Sequence, residues 1–332
     1  MQIEELLKGN RVVLAPMAGI TDHPFRLICK KQGCGIVYSE MINARGLLAE
    51  PQKYQQDYLY ASSVEKPLVA QLFGSDPEVM ASAGVLAWEA GADLVDINMG
   101  CSVPKVLKNR EGAYLMKDQE LAGRIMEQMV RRIPVPVMVK MRKGWENALE
   151  SENAVSLAEI AAKAGIKAVV VHGRTVEQRF TGEADWEIIR EVREAVDIPV
   201  IGNGDVTDYL KAEKMLAQSD CHGIMVGRGV KGNPWLLSQI KTYLHEGRFL
   251  PGPSAGEIIK TLLYHLQLQI DFKGEKVGAR EMRKHASWYI KGMRGAASAR
   301  ELFNRAVNQQ EFKEVLEKLG RWNGVELEQL VY

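Results

Sequence analysis

The sequence predicts an α/β fold, a (β/α)8 TIM barrel over residues 1–248, joined by a linker, residues 249–254, to a small all-helical domain, residues 255–332. Three observations carry this. Eight short β-rich runs recur along the first part of the chain, and a stretch of helical character follows each. Beyond the Pro- and Gly-rich segment Phe249–Ser254 no further strand pattern appears.

The runs begin at Arg11 (RVVLAP), Ile36 (IVYSEM), Leu68 (LVAQLF), Leu94 (LVDINM), Val135 (VPVMVKMR), Ala168 (AVVVHG), Ile198 (IPVIGNGD) and Gly223 (GIMVGRG). Their mean spacing is about 30 residues, the length of a strand–helix–strand unit, and eight such units close a barrel. Most runs are continuously apolar, as expected for strands buried on both faces. The stretch Ser151–Gly165 combines a helix start, an apolar stripe and a terminal glycine. The rival architecture is an open doubly wound sheet, whose first strand would lead into Gly-x-Gly-x-x-Gly. The first run leads instead into Pro16-Met17-Ala18-Gly19, which favours the barrel. After the linker, Ile258, Leu262, Leu263, Leu266 and Ile270 mark one apolar helix face.

Composition narrows the class. The chain is 46% hydrophobic and 26% charged, ordinary for a soluble globular protein. No apolar run approaches the roughly 18 residues of a membrane span, and the acidic start Met1–Glu5 lacks the pattern of a secretion signal. Cys29, Cys34, Cys101 and Cys221 are too scattered for a disulfide framework, and no Cys/His set completes a metal site. A cytoplasmic protein without a metal is expected. The net charge of +1 conceals a basic block: residues 273–305 hold nine Lys or Arg against three Asp or Glu.

In a barrel, the residues just past each strand gather on one face, where such enzymes carry their chemistry. Here they include Pro16, Met17 and Ala18, then Gln71, Asn98, Cys101, Lys140, Arg142, His172 and Arg174, and finally Asn203, Gly204, Asp205, Gly227 and Arg228. The glycine-rich turns at Gly202–Asp205 and Gly227–Gly229 suit a phosphate, through exposed N–H groups and Arg228; they serve equally as tight turns. Gln71 and Lys140 suit the polar edge of a ring, with the lysine stabilising negative charge; they also read as polar residues solvating a barrel interior. Cys101 reads either as a reactive thiol or as a small buried hydrophobe. The basic residues Lys276, Arg280, Arg283, Lys284, Lys291, Arg294, Arg300 and Arg305 stand among aromatics, as in RNA-binding surfaces. A solvated helix face is the plainer reading of the same pattern, with Trp288 and Tyr289 packing the bundle.

Taken together, the motifs Ala15–Asp22 (APMAGITD), Asn98–Cys101 (NMGC), Val139–Arg142 (VKMR), His172–Thr175 (HGRT), Gly182–Trp186 (GEADW), Asn203–Asp205 (NGD), Gly227-Arg228 and Arg283–Gly292 (RKHASWYIKG) resemble those of tRNA-dihydrouridine synthases, in the same order. The chain looks most like the bacterial type B branch. The resemblance runs from about residue 10 to about residue 310. It implies reduction of a D-loop uridine of tRNA to 5,6-dihydrouridine by an FMN-containing monomer, with NADPH as electron donor. It implies that Pro16, Met17, Ala18, Gln71, Lys140, His172, Asn203, Gly204, Asp205, Gly227 and Arg228 hold FMN. Cys101 would be the catalytic acid, Asn98 and Arg142 would face the uracil, and Arg283 and Lys284 would contact the tRNA D-arm.

Two departures from the family pattern stand out. Ser102 follows the cysteine where proline is usual, and the proline comes at Pro104; this leaves the geometry of the thiol loop open. Met293-Arg294 stands where the C-terminal motif commonly has proline. Three other readings make different predictions. A flavin barrel for free pyrimidines would act on uracil or orotate without RNA, and a Schiff-base lyase on Lys140 would be colourless and trapped by borohydride. A non-enzymatic RNA-binding barrel would be indifferent to Cys101→Ala.

Overall fold

A computed structural model describes residues 2–146 and 153–326. The eight expected strands form one parallel sheet: β1 (Val12–Leu14), β2 (Val37–Asn43), β3 (Leu68–Phe73), β4 (Leu94–Met99), β5 (Val137–Arg142), β6 (Ala168–His172), β7 (Val200–Asn203) and β8 (Gly223–Val226). Each strand pairs with its sequence neighbour, β1 pairs with β8, and a bridge from Val13 to Ile36 closes the ring. Helices stand between the strands and cover the outside. The start signal at Ser151 lies outside the described residues; the helix there is described over Ala154–Lys163.

Period-two alternation explains both the core and the site. Outward positions such as Val95, Ile97, Val139, Met141, Val169 and Val171 pack under the helices. Inward positions, among them Val69, Leu94, Met138, Val170, Ile201 and Met225, fill the barrel, and Ile3 and Leu7 of the first helix pack with them. Two residues further along each strand, that same inward face carries Gln71, Asp96, Lys140, His172 and Asn203; Asn98 and Arg142 follow at the strand tips. The register sets Gln71 beside Asp96, Asn98 beside Lys140, and Arg142 beside His172. The apolar interior therefore ends in a polar floor at the C-terminal mouth.

The C-terminal helices Ala255–Lys273, Glu275–Tyr289, Ala296–Arg305 and Gln309–Trp322 build a second core around Leu262, Leu266, Phe303 and Phe312. Ser254 and Glu257 cap the first of them with a reciprocal capping box. Its buried aliphatic residues are Ile259, Leu262, Leu263 and Leu266; Ile258 and Ile270 flank that face, half-buried. Trp235, from the last barrel helix, enters this core, and Phe25 packs against the buried rings of His265 and His285. Asp22 accepts from Gln269 and Lys273, both at 2.8 Å. The loop after β1 is thus tied to the helical region.

Candidate active site

Cys101 lies in the loop after β4 and is half-buried, whereas Cys29, Cys34 and Cys221 are buried. Its backbone is held on two sides. Asn98 Oδ1 accepts from the N–H of Gly100 at 3.1 Å and of Cys101 at 2.9 Å. The Cys101 carbonyl accepts from Ala113 N–H at 3.1 Å. Pro104 opens a short helix, Pro104–Lys108, and holds Val103 extended. The thiol loop is therefore fixed by Asn98 and Ala113 without a proline next to the cysteine. Burial pushes the Cys101 thiol up, against the smaller pull of the Val103 N–H and of Arg142. It is a protonated thiol at neutral pH.

Around it the floor is rich in donors. Lys140 Nζ donates to Asn203 Oδ1 at 3.1 Å, and Asn203 Nδ2 donates to the Met225 carbonyl at 2.8 Å. Burial, with the neighbouring Arg142, lowers the Lys140 amine to about 8, while Asp96 pulls the other way. Arg142 donates to the carbonyls of Gly100 (2.9 Å), Thr175 (2.8 Å) and Arg179 (2.9 Å), stitching the β4 and β6 loops together. His172 is held well below its usual range by burial and by Lys140, Arg142, Arg174 and Arg228, and so is neutral.

Past β7 the backbone takes positive φ at Gly204 (129°) and Asp205 (58°). A Cβ at Gly204 would stand 2.6 Å from Ala184 Cβ, so only glycine fits. The Asp205 carboxylate accepts from buried Arg174 at 2.6 and 2.8 Å, from Ala184 N–H at 2.7 Å and from Arg228 at 3.2 Å. These bonds outweigh burial and hold its pKa low. The Arg228 guanidinium also lies 4.7 Å from the ring centre of Phe180, which is 57% exposed at the mouth.

The structure thus gathers Gln71, Asn98, Cys101, Lys140, Arg142, His172, Asn203, Gly204, Asp205, Gly227 and Arg228 at one end of the barrel, beside the half-buried Pro16 and Met17 and exposed Ala18. Asn98 and Arg142 hold the loops here. Lys284 donates to the Gly19 carbonyl in the loop after β1. Arg283 is not brought to the mouth: its Nε and Nη2 donate to the Ala306 carbonyl, at 3.0 and 2.9 Å, bracing the helices. Sequence reasoning missed Asp96, which sits inside an apolar run, and Phe180, which no periodicity marks. The inward phase of β4, shared with Asn98, was the available signal for Asp96.

The model of the family described as "Dihydrouridine synthase" matches residues 13–321, nearly the whole chain and every strand-end loop just described. The chain belongs to the dihydrouridine synthase family. Its curated relatives include a probable tRNA-dihydrouridine synthase of Rickettsia bellii, 41% identical over 92% of this chain and 93% of that protein. Another is the tRNA-dihydrouridine synthase B of Pseudomonas aeruginosa, 40% identical over 89% of this chain and 88% of the relative. Among solved structures, the fold resembles histamine dehydrogenase from Rhizobium sp. 4-9 (TM-score 0.52, 15% identity, 78% of this chain and 49% of that one). It also resembles an old yellow enzyme homologue from Zymomonas mobilis (TM-score 0.50, 14% identity, 73% and 90%). Among the described residues of this family member no helix is long and apolar enough to cross a membrane, and no group of three or more His, Cys, Asp or Glu could hold a metal ion.

Proposed function

We propose that the protein is a cytoplasmic, monomeric tRNA-dihydrouridine synthase that reduces a D-loop uridine to 5,6-dihydrouridine, with FMN as resident cofactor and NADPH as electron donor. The observation that carries this reading is the half-buried, protonated thiol of Cys101, held at the mouth of a donor-rich barrel in a chain of this family. The mouth suits FMN. Four cationic groups, Lys140, Arg142, Arg174 and Arg228, surround His172, and Asp205 already accepts from Arg174 and Arg228. Arg174 Nη1 is buried without a partner among the described residues. That excess of donors fits a phosphate and the electron-rich edge of a ring.

Pro16, Met17 and Ala18 would line the flavin, Gln71 and Lys140 would meet its polar edge, and His172, Asn203, Gly204, Asp205, Gly227 and Arg228 would enclose its phosphate side. Bound there, FMN in its reduced form would supply the hydride for one carbon of the uracil double bond. Cys101 gives its Sγ proton to the adjacent carbon, and the resulting thiolate regains a proton from solvent. Asn98 and Arg142 keep the thiol loop in place and would face the uracil. The uridine must leave its stack to enter, as base-modifying enzymes require.

The decisive experiment is mass spectrometry of tRNA from a strain lacking the protein. Uridine is expected in place of dihydrouridine at defined D-loop positions, and an unchanged dihydrouridine content would overturn the proposal. Two binding predictions accompany it. Lys140 is a cation only below about pH 8, so FMN affinity holds at neutral pH and falls above it, by at most about tenfold per pH unit for one linked proton. Flavin fluorescence titrations would show this, and Lys140→Met flattens the profile. For RNA, Lys276, Arg280, Lys291, Arg294 and Arg305 are exposed. Removing one that meets a phosphate is expected to lower the slope of log affinity against log salt by about 0.7–0.9 in filter-binding assays with tRNA.

A further inference from the structure

Beneath the thiol loop the barrel interior holds a chain of amides with only one workable polarity. Main-chain N–H groups can only donate, so the bonds from Gly100 and Cys101 require the oxygen of Asn98 to face the loop. Asn98 Nδ2 then points down and donates to Gln71 Oε1 at 2.8 Å. That leaves the Gln71 NH2 group needing an acceptor below it. Asp96 Oδ2 supplies one, at 2.7 Å from Gln71 Nε2, on a side chain with no exposed surface. Asp96 Oδ1 has no partner among the described residues, so it can carry a proton while Oδ2 still accepts. Burial raises this carboxyl to about 7, and the bond survives on either side of that value.

We propose that Asp96 is a positioning residue for Cys101: by accepting from Gln71 it fixes the orientation of both amides, and through Asn98 it fixes the main chain that carries the thiol. Asp96 itself touches neither substrate nor the reacting atoms. The proposal builds on the reading of Cys101 as the proton donor, but it can be tested with no RNA present. Because the other three cysteines are buried, the rate of iodoacetamide alkylation of the purified flavin-loaded protein reports on Cys101 alone.

Asp96→Leu removes the acceptor, frees the loop and lets water reach the thiol. Its alkylation rate is expected to rise by roughly three- to tenfold, the size of a coupling through shared neighbours. Asp96→Asn offers a carbonyl to Gln71 and is expected to stay within about twofold of the wild-type rate. In an Asn98→Ala background, Asp96→Leu should add nothing further. Should the leucine variant fail to fold, Gln71→Met, confirmed by absorbance to hold its full complement of flavin, breaks the same chain one link higher, with the same expected rise. The proposal is overturned by an unchanged rate in Asp96→Leu or Gln71→Met, by equal effects of the Asn and Leu variants, or by a leucine effect that persists without Asn98. An active Cys101→Ala enzyme would overturn the role of the thiol instead and leave these alkylation results standing.

Discussion

Cys101→Ala is expected to keep its flavin, accept electrons from NADPH at the wild-type rate, and lose about a hundred- to ten-thousandfold in the step that reduces tRNA. The reason is geometric as well as chemical. Cys101 stands in the β4 loop and takes part in none of the Lys140–Asn203 and Arg174–Asp205–Arg228 bonds of the clusters that would hold the cofactor, so its removal leaves those bonds in place. What disappears is the one half-buried thiol at the mouth. Stopped-flow measurement of flavin reduction by NADPH, followed by reoxidation on mixing with tRNA lacking dihydrouridine, separates the two half-reactions. Slow reduction in the first half would instead mark Cys101 as part of the cofactor site. The pH dependence has a fixed sign. The donor must be protonated and burial raises its pKa, so with FMN saturating, activity should fall as pH climbs beyond the ordinary thiol range near 8.5. Cys101→Ser supplies a far weaker acid and should behave like the alanine variant.

The legibility of this site in the sequence depended on how far each residue's role is local. A barrel could be read because strand length, spacing and apolar continuity are local properties, and its C-terminal face follows from topology. Cys101, Asn98 and Lys140 could be read because a polar or reactive group directly after an apolar run is conspicuous. Asp96 was not, since it lies within the run, and only the pairing register that places it beside Gln71 reveals what it meets. The basic helical block illustrates the limit further. Periodicity shows that Arg283 and Lys284 share a helix, but not that one donates to the Ala306 carbonyl and the other to Gly19 across the joint with the barrel. Those partners lie 23 and 265 positions away. Long-range pairing of this kind leaves no local trace.

Glu65 is the extreme case, and replacing it is expected to have the largest effect on stability. It lies outside every motif, yet its carboxylate has no exposed surface and gathers four bonds: from Arg26 Nε at 2.9 Å, His23 Nδ1 at 2.7 Å, Ser62 N–H at 2.7 Å and the Ser62 hydroxyl at 3.3 Å. Arg26, itself 1% exposed, extends this grip to the carbonyls of Thr21 and Tyr60 at 2.9 and 2.6 Å. Glu65→Ala leaves a guanidinium buried without its counter-charge, which costs about 3–5 kcal/mol. Thr21 and His23 flank Asp22 at the end of the loop after β1, so the same change should loosen Pro16–Ala18 and weaken flavin retention. Burial pushes the Glu65 carboxyl up, but His23 and Arg26 outweigh it and hold it below its usual value. Its contribution is therefore complete above the unfolded carboxylate range near 4.3 and is lost as pH falls through the lower folded value. Guanidinium denaturation midpoints of wild type and variant should differ widely at neutral pH and converge in acid. Coincident midpoints at neutral pH would mean that Arg26 finds another partner, and that the carboxylate does not hold this loop to the barrel.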